Sequence, residues 1–254
     1  MRGNALTNKH RPDPTFGTMR TSPLLPLLLL ACVVLSFCVG SDPRIASVAI
    51  DPKATPITLY NKDDSGHALG NIGKLRAYVE AKGKHLRFAM NGGMYMEDLS
   101  PLGLYVENSK QLRRLITKTD GYGNFYLQPN GVFGVDTKGT AFVVTTANYP
   151  QQKDVLYATQ SGPMLVVDGV INSAFKEGSV NVQIRNGVGI LPDGKALFAI
   201  TRQPMNLFDF ARFFQQQGCA NALFLDGAIS RTHMPGEKIE QMNGTLGPLI
   251  AVVE

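Results

Sequence analysis

Beyond residue 43 the chain is mostly a succession of short apolar runs separated by Gly, Pro, Asn and Asp breaks. RIASVAID (44–51) alternates apolar and polar positions, the period of a half-buried strand, and PITLYN (56–61) is read as its partner. HLRFAM (85–90), GLYVEN (103–108), NFYLQ (124–128), NALFLD (221–226) and PLIAVV (248–253) read as further strands. Turn residues inside apolar runs predict hairpins at GVFGVDTKGTAFVVTT (131–146), at Asp-Gly within ATQSGPMLVVDGVI (158–171), and at Pro-Asp-Gly within VGILPDGKALFAIT (188–201).

Two stretches switch to the helical period. In NIGKLRAYVEAKGK (71–84), Ile72, Leu75 and Val79 share a face and Gly83 ends the pattern. In NLFDFARFFQQQG (206–218), Leu207, Phe210, Ala211 and Phe214 form the stripe and Gly218 stops it. Two main helices and about ten strands, mostly hairpin-joined, predict an α+β single domain with a mixed, largely antiparallel sheet. No fixed-period repeat or linker interrupts it.

The beginning of the chain follows another logic. Arg2, Lys9, Arg11 and Arg20 precede the apolar block PLLPLLLLACVVLSFCVG (23–40), the layout of a secretory leader. Met19 offers an alternative start, and a cut after Cys38 or Gly40 would leave a small residue at or near the new end. An uncleaved anchor is the competing reading, since the block is near the shortest span that crosses a bilayer. Residues 1–40 are therefore read as leader with N-terminal extension, and 41–254 as one domain. The expected location is periplasmic or extracellular, with membrane contact only through residues 23–40. Removing that segment lowers the net charge from +5 to +2. With no basic run remaining, nucleic acid is not expected as a partner. Cys219 is then the one cysteine left. No internal disulfide can form, and Cys219 reads as a small buried hydrophobe.

Four strand ends run into small polar corners: Asn91-Gly92-Gly93, Asn130-Gly131, Ser161-Gly162-Pro163 and Asp226-Gly227-Ala228-Ile229-Ser230. Each could be turn chemistry alone, or a place where backbone and ligand approach closely. Arg185, between two apolar stretches, is read as pointing into a cleft, where a guanidinium can fork onto carboxylate or phosphate. Arg202 and Arg231 stay open between cleft and surface. The histidines show no metal-ligand spacing, and no cofactor or metal is expected. Ser161, His233 and Asp226 could be drawn as a Ser-His-Asp set, but nothing around Ser161 resembles a nucleophile elbow.

Taken in order, MNGGMY, SPLGLYVEN, NFYLQPNGVFGV, TQSGPMLV, IRNGVGI and ALFLDGAIS resemble the phosphodiester glycosidase family over roughly residues 85–254. The resemblance implies an exported hydrolase that breaks the sugar C1–O bond of a sugar-1-phosphodiester in envelope or extracellular glycans, with a carbohydrate or sugar phosphate as partner. It implies Asp226 as catalytic carboxylate, with Glu97 and Asp98 either supplying a second or lying on an exposed loop. The implied substrate-binding set is Asn91, Gly92, Gly93, Asn130, Gly131, Ser161, Gly162, Arg185 and Ser230. Ala228 departs from the family, which commonly has Gly or Ser after Asp-Gly. Two other readings remain: a non-catalytic glycan-binding module on the same fold, and a phosphodiesterase that cuts P–O.

Overall fold

Two asparagines start the helices. The Asn71 side chain accepts from Lys74 N at the start of α1 (Ile72–Glu80), and the Asn206 side chain accepts from Asp209 N at the start of α2 (Leu207–Gln216). Gly83 and Gly218, at φ 72° and 80°, take the left-handed conformation that turns the chain away from each helix. The computed structural model describes residues 42–226 and 229–254. The leader predicted at 1–40 lies outside the described residues. Among those described, no helix is long and apolar enough to cross a membrane.

Sixteen strands accompany the helices among the described residues. In chain order they are β1 (Ile45–Ile50), β2 (Ile57–Tyr60), β3 (Leu86–Asn91), β4 (Tyr105–Glu107), β5 (Lys110–Arg113), β6 (Gly131–Asp136), β7 (Ala141–Thr145) and β8 (Val155–Ser161). There follow β9 (Met164–Val167), β10 (Val170–Ile171), β11 (Asn186–Ile190), β12 (Ala196–Thr201), β13 (Ala222–Phe224), β14 (Thr232–Met234), β15 (Ile239–Glu240) and β16 (Leu249–Val253). They make three sheets, ordered β1-β12-β11-β13-β9-β10, β15-β14-β3-β16-β2 and β5-β4-β8-β6-β7. Every strand pairing within them is antiparallel. The chain is α+β, as the pattern predicted, with its strands divided over three sheets rather than one.

The expected pairing of 44–51 with 56–61 does not occur. β1 pairs with β12, from Ile45↔Thr201 to Ile50↔Ala196, and β2 pairs with β16, from Ile57↔Val252 to Tyr60↔Leu249. The reason lies in the partners. β12 is buried at every residue and β16 at all but Val253. Such strands need a neighbour on each side to satisfy their backbone groups, and β1 and β2 fill the vacant sides.

NFYLQ is not a strand either. Asn124–Tyr126 forms one 3₁₀ turn. Between Gly123, at φ 95°, and Pro129, only Phe125 is buried, so no alternating face exists to pair. The pattern also passed over β5, β14 and β15. β5 is largely exposed, and the other two are three residues or fewer.

The sheets share one core. Phe198 of β12 packs against Phe88 of β3 (ring centroids 5.0 Å apart) and Phe133 of β6 (5.5 Å), joining all three. β6 and β7 lie against β13 and β11, and β2 lies against β4 and β8. The outer face of the first sheet is covered by α2 through Phe210, Phe213 and Phe214. α1 covers the second sheet with Ile72, Leu75 and Val79. Cys219 is buried in the α2 layer, and burial pushes its thiol pKa up to about 12. That keeps it protonated and unreactive, as a packing residue should be.

Candidate active site

The end of β3, the start of β11 and the segment after β13 meet at one corner. Asn186 ties them together. Its Nδ2 donates to the Asn91 carbonyl (3.0 Å) and to Asn91 Oδ1 (3.1 Å), while its Oδ1 accepts from Asp226 N (3.2 Å). Ser230 Oγ lies 3.2 Å from the same Oδ1 and 3.0 Å from the Asp226 carbonyl. Asn91 Oδ1 also accepts from Arg231 N (2.8 Å). From the third sheet, Ser161 Oγ donates to the Leu225 carbonyl. This bond commits Ser161 to a backbone partner rather than an imidazole. Asn91, Ser161, Asn186, Asp226 and Ser230 are all at most 5% exposed. A polar cluster so dry persists only where its members satisfy one another. Asn91 Nδ2 alone among the amide atoms of this cluster has no acceptor among the described residues.

Asp226 lines a cavity of about 390 Å³ together with Met94, Tyr95, Glu97, Asn124 and Phe125. The Tyr95 hydroxyl donates to the Thr245 carbonyl. Its pKa is raised by burial first, and then by the negative charge of Asp226. The wall of this cavity is held from behind. Asn130 Nδ2 donates to the Phe125 carbonyl (3.0 Å), and a Cβ on Gly162 would press on Asn130 Cβ at 2.7 Å. Gly93 sits where any Cβ would collide with the Gln160 carbonyl oxygen of β8. Gly93→Ala is expected to destabilise the fold by about 1–3 kcal/mol, read as a lower urea midpoint at unchanged m-value.

Arg185 stands beside this cluster. β11 and β13 are paired through Gly187↔Phe224, and Leu225 N reaches the Asn186 carbonyl. Arg185 and Asp226 are therefore the next residues along the two facing chains. Arg185 as a whole is 2% exposed, and its guanidinium lies over the Phe224 ring, 5.5 Å from its centroid. Its Nε donates to the Met205 carbonyl (3.2 Å), and one terminal nitrogen reaches the carbonyl (3.1 Å) and Oδ1 (3.2 Å) of Asn181. Each of these acceptors is neutral, and burial pulls the arginine pKa down. A cation held this way is suited to meeting an anion that arrives from outside. It lines a neighbouring cavity of about 210 Å³, and Asn124 lines both cavities.

Residues 84–246 match the sequence pattern of the phosphodiester glycosidase family. An uncharacterized protein of Escherichia coli K12, YigE, is 36% identical over 228 residues, 89% of each chain. The chain belongs to the phosphodiester glycosidase family. Among solved structures, the zebrafish N-acetylglucosamine-1-phosphodiester alpha-N-acetylglucosaminidase catalytic domain, auto-inhibited by its pro-peptide, superposes with a TM-score of 0.56. The match has 17% identity and spans 83% of this chain and 84% of that one. A hypothetical protein from Synechocystis gives 0.51 at 14% identity, over 82% of this chain and 59% of the other. At such identities these likenesses speak for the fold.

The span matched by the glycosidase family holds every candidate from Asn91 to Ser230, and the structure distributes them unevenly. Asp226 and Glu97 share the larger of the two cavities just described, and Arg185 opens onto the smaller. Asn91, Ser161 and Ser230 form the cluster behind Asp226. Asn130 and Gly162 pack behind Phe125 of the wall, Gly93 packs on Gln160, Gly92 on Pro248 and Ile250, and Gly131 on Met164 and Val144. Asp98 points elsewhere. It lines a third, separate cavity, and hydrogen bonds from Ser100 Oγ (2.6 Å) and Ser100 N (3.0 Å) lower its pKa. Ala228, the departure from the family motif, lies outside the described residues. Arg202 pairs with Glu237 (2.5 Å) at the surface. Among the described residues, no three His, Cys, Asp or Glu side chains are placed to hold a metal.

Sequence reasoning missed Asn186, although it follows Arg185 directly in IRNGVGI, and it missed Asn124 and Tyr95. Asn186→Ala is expected to cost about 1–3 kcal/mol of stability, because Asp226 N and the Asn91 amide lose a buried partner.

Proposed function

We propose that this member of the family is a hydrolase that breaks the C1–O bond of a sugar-1-phosphodiester. Water adds its oxygen to C1, the C1–O bond breaks, and the phosphate leaves as a phosphomonoester. The sugar develops oxocarbenium character while the leaving phosphate gains charge, so the reaction wants a carboxylate near C1 and a cation near phosphorus. Asp226 is the carboxylate, either stabilising the cation or attacking C1. Glu97, at the cavity mouth, is placed to order or deprotonate water. Arg185, whose Nε and one terminal nitrogen are held by Met205 and Asn181, offers its remaining terminal nitrogen to a phosphate oxygen. The reading is carried by the Asn91–Asn186–Asp226 tie next to a buried arginine with neutral acceptors. The zebrafish relative, named for an N-acetylglucosamine-1-phosphodiester, supports the substrate class.

Turnover of methyl N-acetylglucosamine-1-phosphate in ¹⁸O-water tests it. The expected result is label on the sugar hydroxyl. Label on phosphate would instead mean P–O cleavage by a phosphodiesterase. No release of either product would leave the glycan-binding reading in its place.

The leader pattern at 1–40 supports action outside the cytoplasm on envelope or extracellular glycans. Cell fractionation with N-terminal sequencing should recover a chain that begins near residue 39 or 41. An intact N-terminus in the cytoplasmic fraction would overturn this part.

A further inference from the structure

A hollow larger than either of those used above lies elsewhere among the described residues. It has a volume of about 860 Å³ and lies where β2 faces β4 and β8, under α1 and the 98–101 turn. That is more than twice the volume of the Asp226 cavity and within the range of sites that engulf a ligand. Tyr60, Tyr78, Tyr105 and Tyr157 contribute to its lining. The rings of Tyr60 and Tyr78 meet edge to face at 6.3 Å, a fixed aromatic corner.

The polar groups in the hollow are balanced and pre-set. Lys62, Lys82, Lys84 and Arg113 are offset by Asp63, Asp64, Asp98 and Glu107, which leaves no net sign to attract an ion. Lys82 is already bound to Asp64 (2.6 Å), and Tyr78 donates to the same carboxylate (2.6 Å). Half-buried Glu107 takes the Tyr105 hydroxyl on Oε2 (2.7 Å), which leaves its other oxygen for a further donor. Burial raises the Glu107 pKa. Asn108 accepts from the Tyr157 hydroxyl on Oδ1 (2.6 Å), which leaves its NH₂ group to donate. The Tyr60–Tyr78 corner, an open acceptor on Glu107, an open donor on Asn108 and balanced charge describe a site for an uncharged ligand rich in hydroxyls.

We propose that this hollow is a second carbohydrate site that holds a neutral oligosaccharide segment. The loop after β3 is its common wall with the first site. Met94, Tyr95, Met96 and Glu97 line the Asp226 cavity, and Asp98, Ser100 and Pro101 line the hollow. On the glycosidase reading, the occupant is a remote part of a polymeric substrate whose phosphodiester lies at Asp226. Binding energy gathered there would orient the reacting end.

Isothermal titration with chitotetraose, maltotetraose and cellotetraose tests the site without turnover, because none carries a phosphodiester. At least one should bind saturably. Glu107→Gln and exposed Asn108→Ala should each weaken it about tenfold, and Tyr60→Ala more, with folding checked by circular dichroism. If no tetrasaccharide binds, or if binding is indifferent to Glu107→Gln and Asn108→Ala, the site is refuted. Labelled-water hydrolysis is measured separately, so failure here and failure of the hydrolase reading give different results.

Discussion

Asp226→Asn is expected to lower kcat for sugar release by about 10³-fold, with KM changed by less than about fivefold. The substitution keeps shape and leaves the backbone bond from Asp226 N to Asn186 intact, so the corner should stay folded. On the proposed mechanism, what it removes is the negative charge next to the developing cation. A thousandfold loss is about 4 kcal/mol of transition-state stabilisation, more than one neutral hydrogen bond supplies. The effect therefore separates charge stabilisation from simple positioning. Steady-state kinetics on a sugar-1-phosphodiester decides it. A loss below tenfold would shift the catalytic role to another carboxylate, with Glu97 first in line because it lines the same cavity. Glu97→Gln should cost less than Asp226→Asn, since Glu97 is exposed and water can replace part of its function.

The largest effect on stability is expected at Phe198. Phe198→Ala should destabilise the fold by about 3–5 kcal/mol. The ring is fully buried and touches Phe88 and Phe133, so its loss opens a void between three sheets at once. No single sheet can close such a void without pulling away from the others. Total domain stability is commonly about 5–15 kcal/mol, so the variant will be marginal. Urea titration followed by tyrosine fluorescence measures it. Phe213→Ala is the comparison: that residue lies on α2, at 6% exposure, over one sheet only. Equal losses at both positions would refute Phe198 as the shared contact.

Much of this architecture is written in local pattern. Both helices, the Asp-Gly and Pro-Asp-Gly hairpins and the apolar strands follow from periodicity and turn chemistry. Sheet membership does not. TQS and MLVV read as neighbours around Gly-Pro, yet Thr159–Ser161 pairs in the third sheet and Met164–Val167 in the first. Nothing local tells a strand which long-range partner it will meet. The site was legible to the same extent. Its small polar corners stood out because polar groups at the ends of apolar strands are unusual unless something uses them. Asn186 did not stand out, because its meaning lies in bonds to residues 95 and 40 positions away. Glu97 and Asp98 were indistinguishable in sequence and face different hollows, because a turn points adjacent side chains apart.

The second sheet is joined through β16. β16 lies between β3 and β2, so residues 57–60 and 86–91 have no direct contact as strands until 249–253 arrive. Without β16, β3 and β2 would carry two unzipped edges in place of one continuous layer. Joining these two strands is then a long-range event, and deleting residues 249–253 should prevent it altogether.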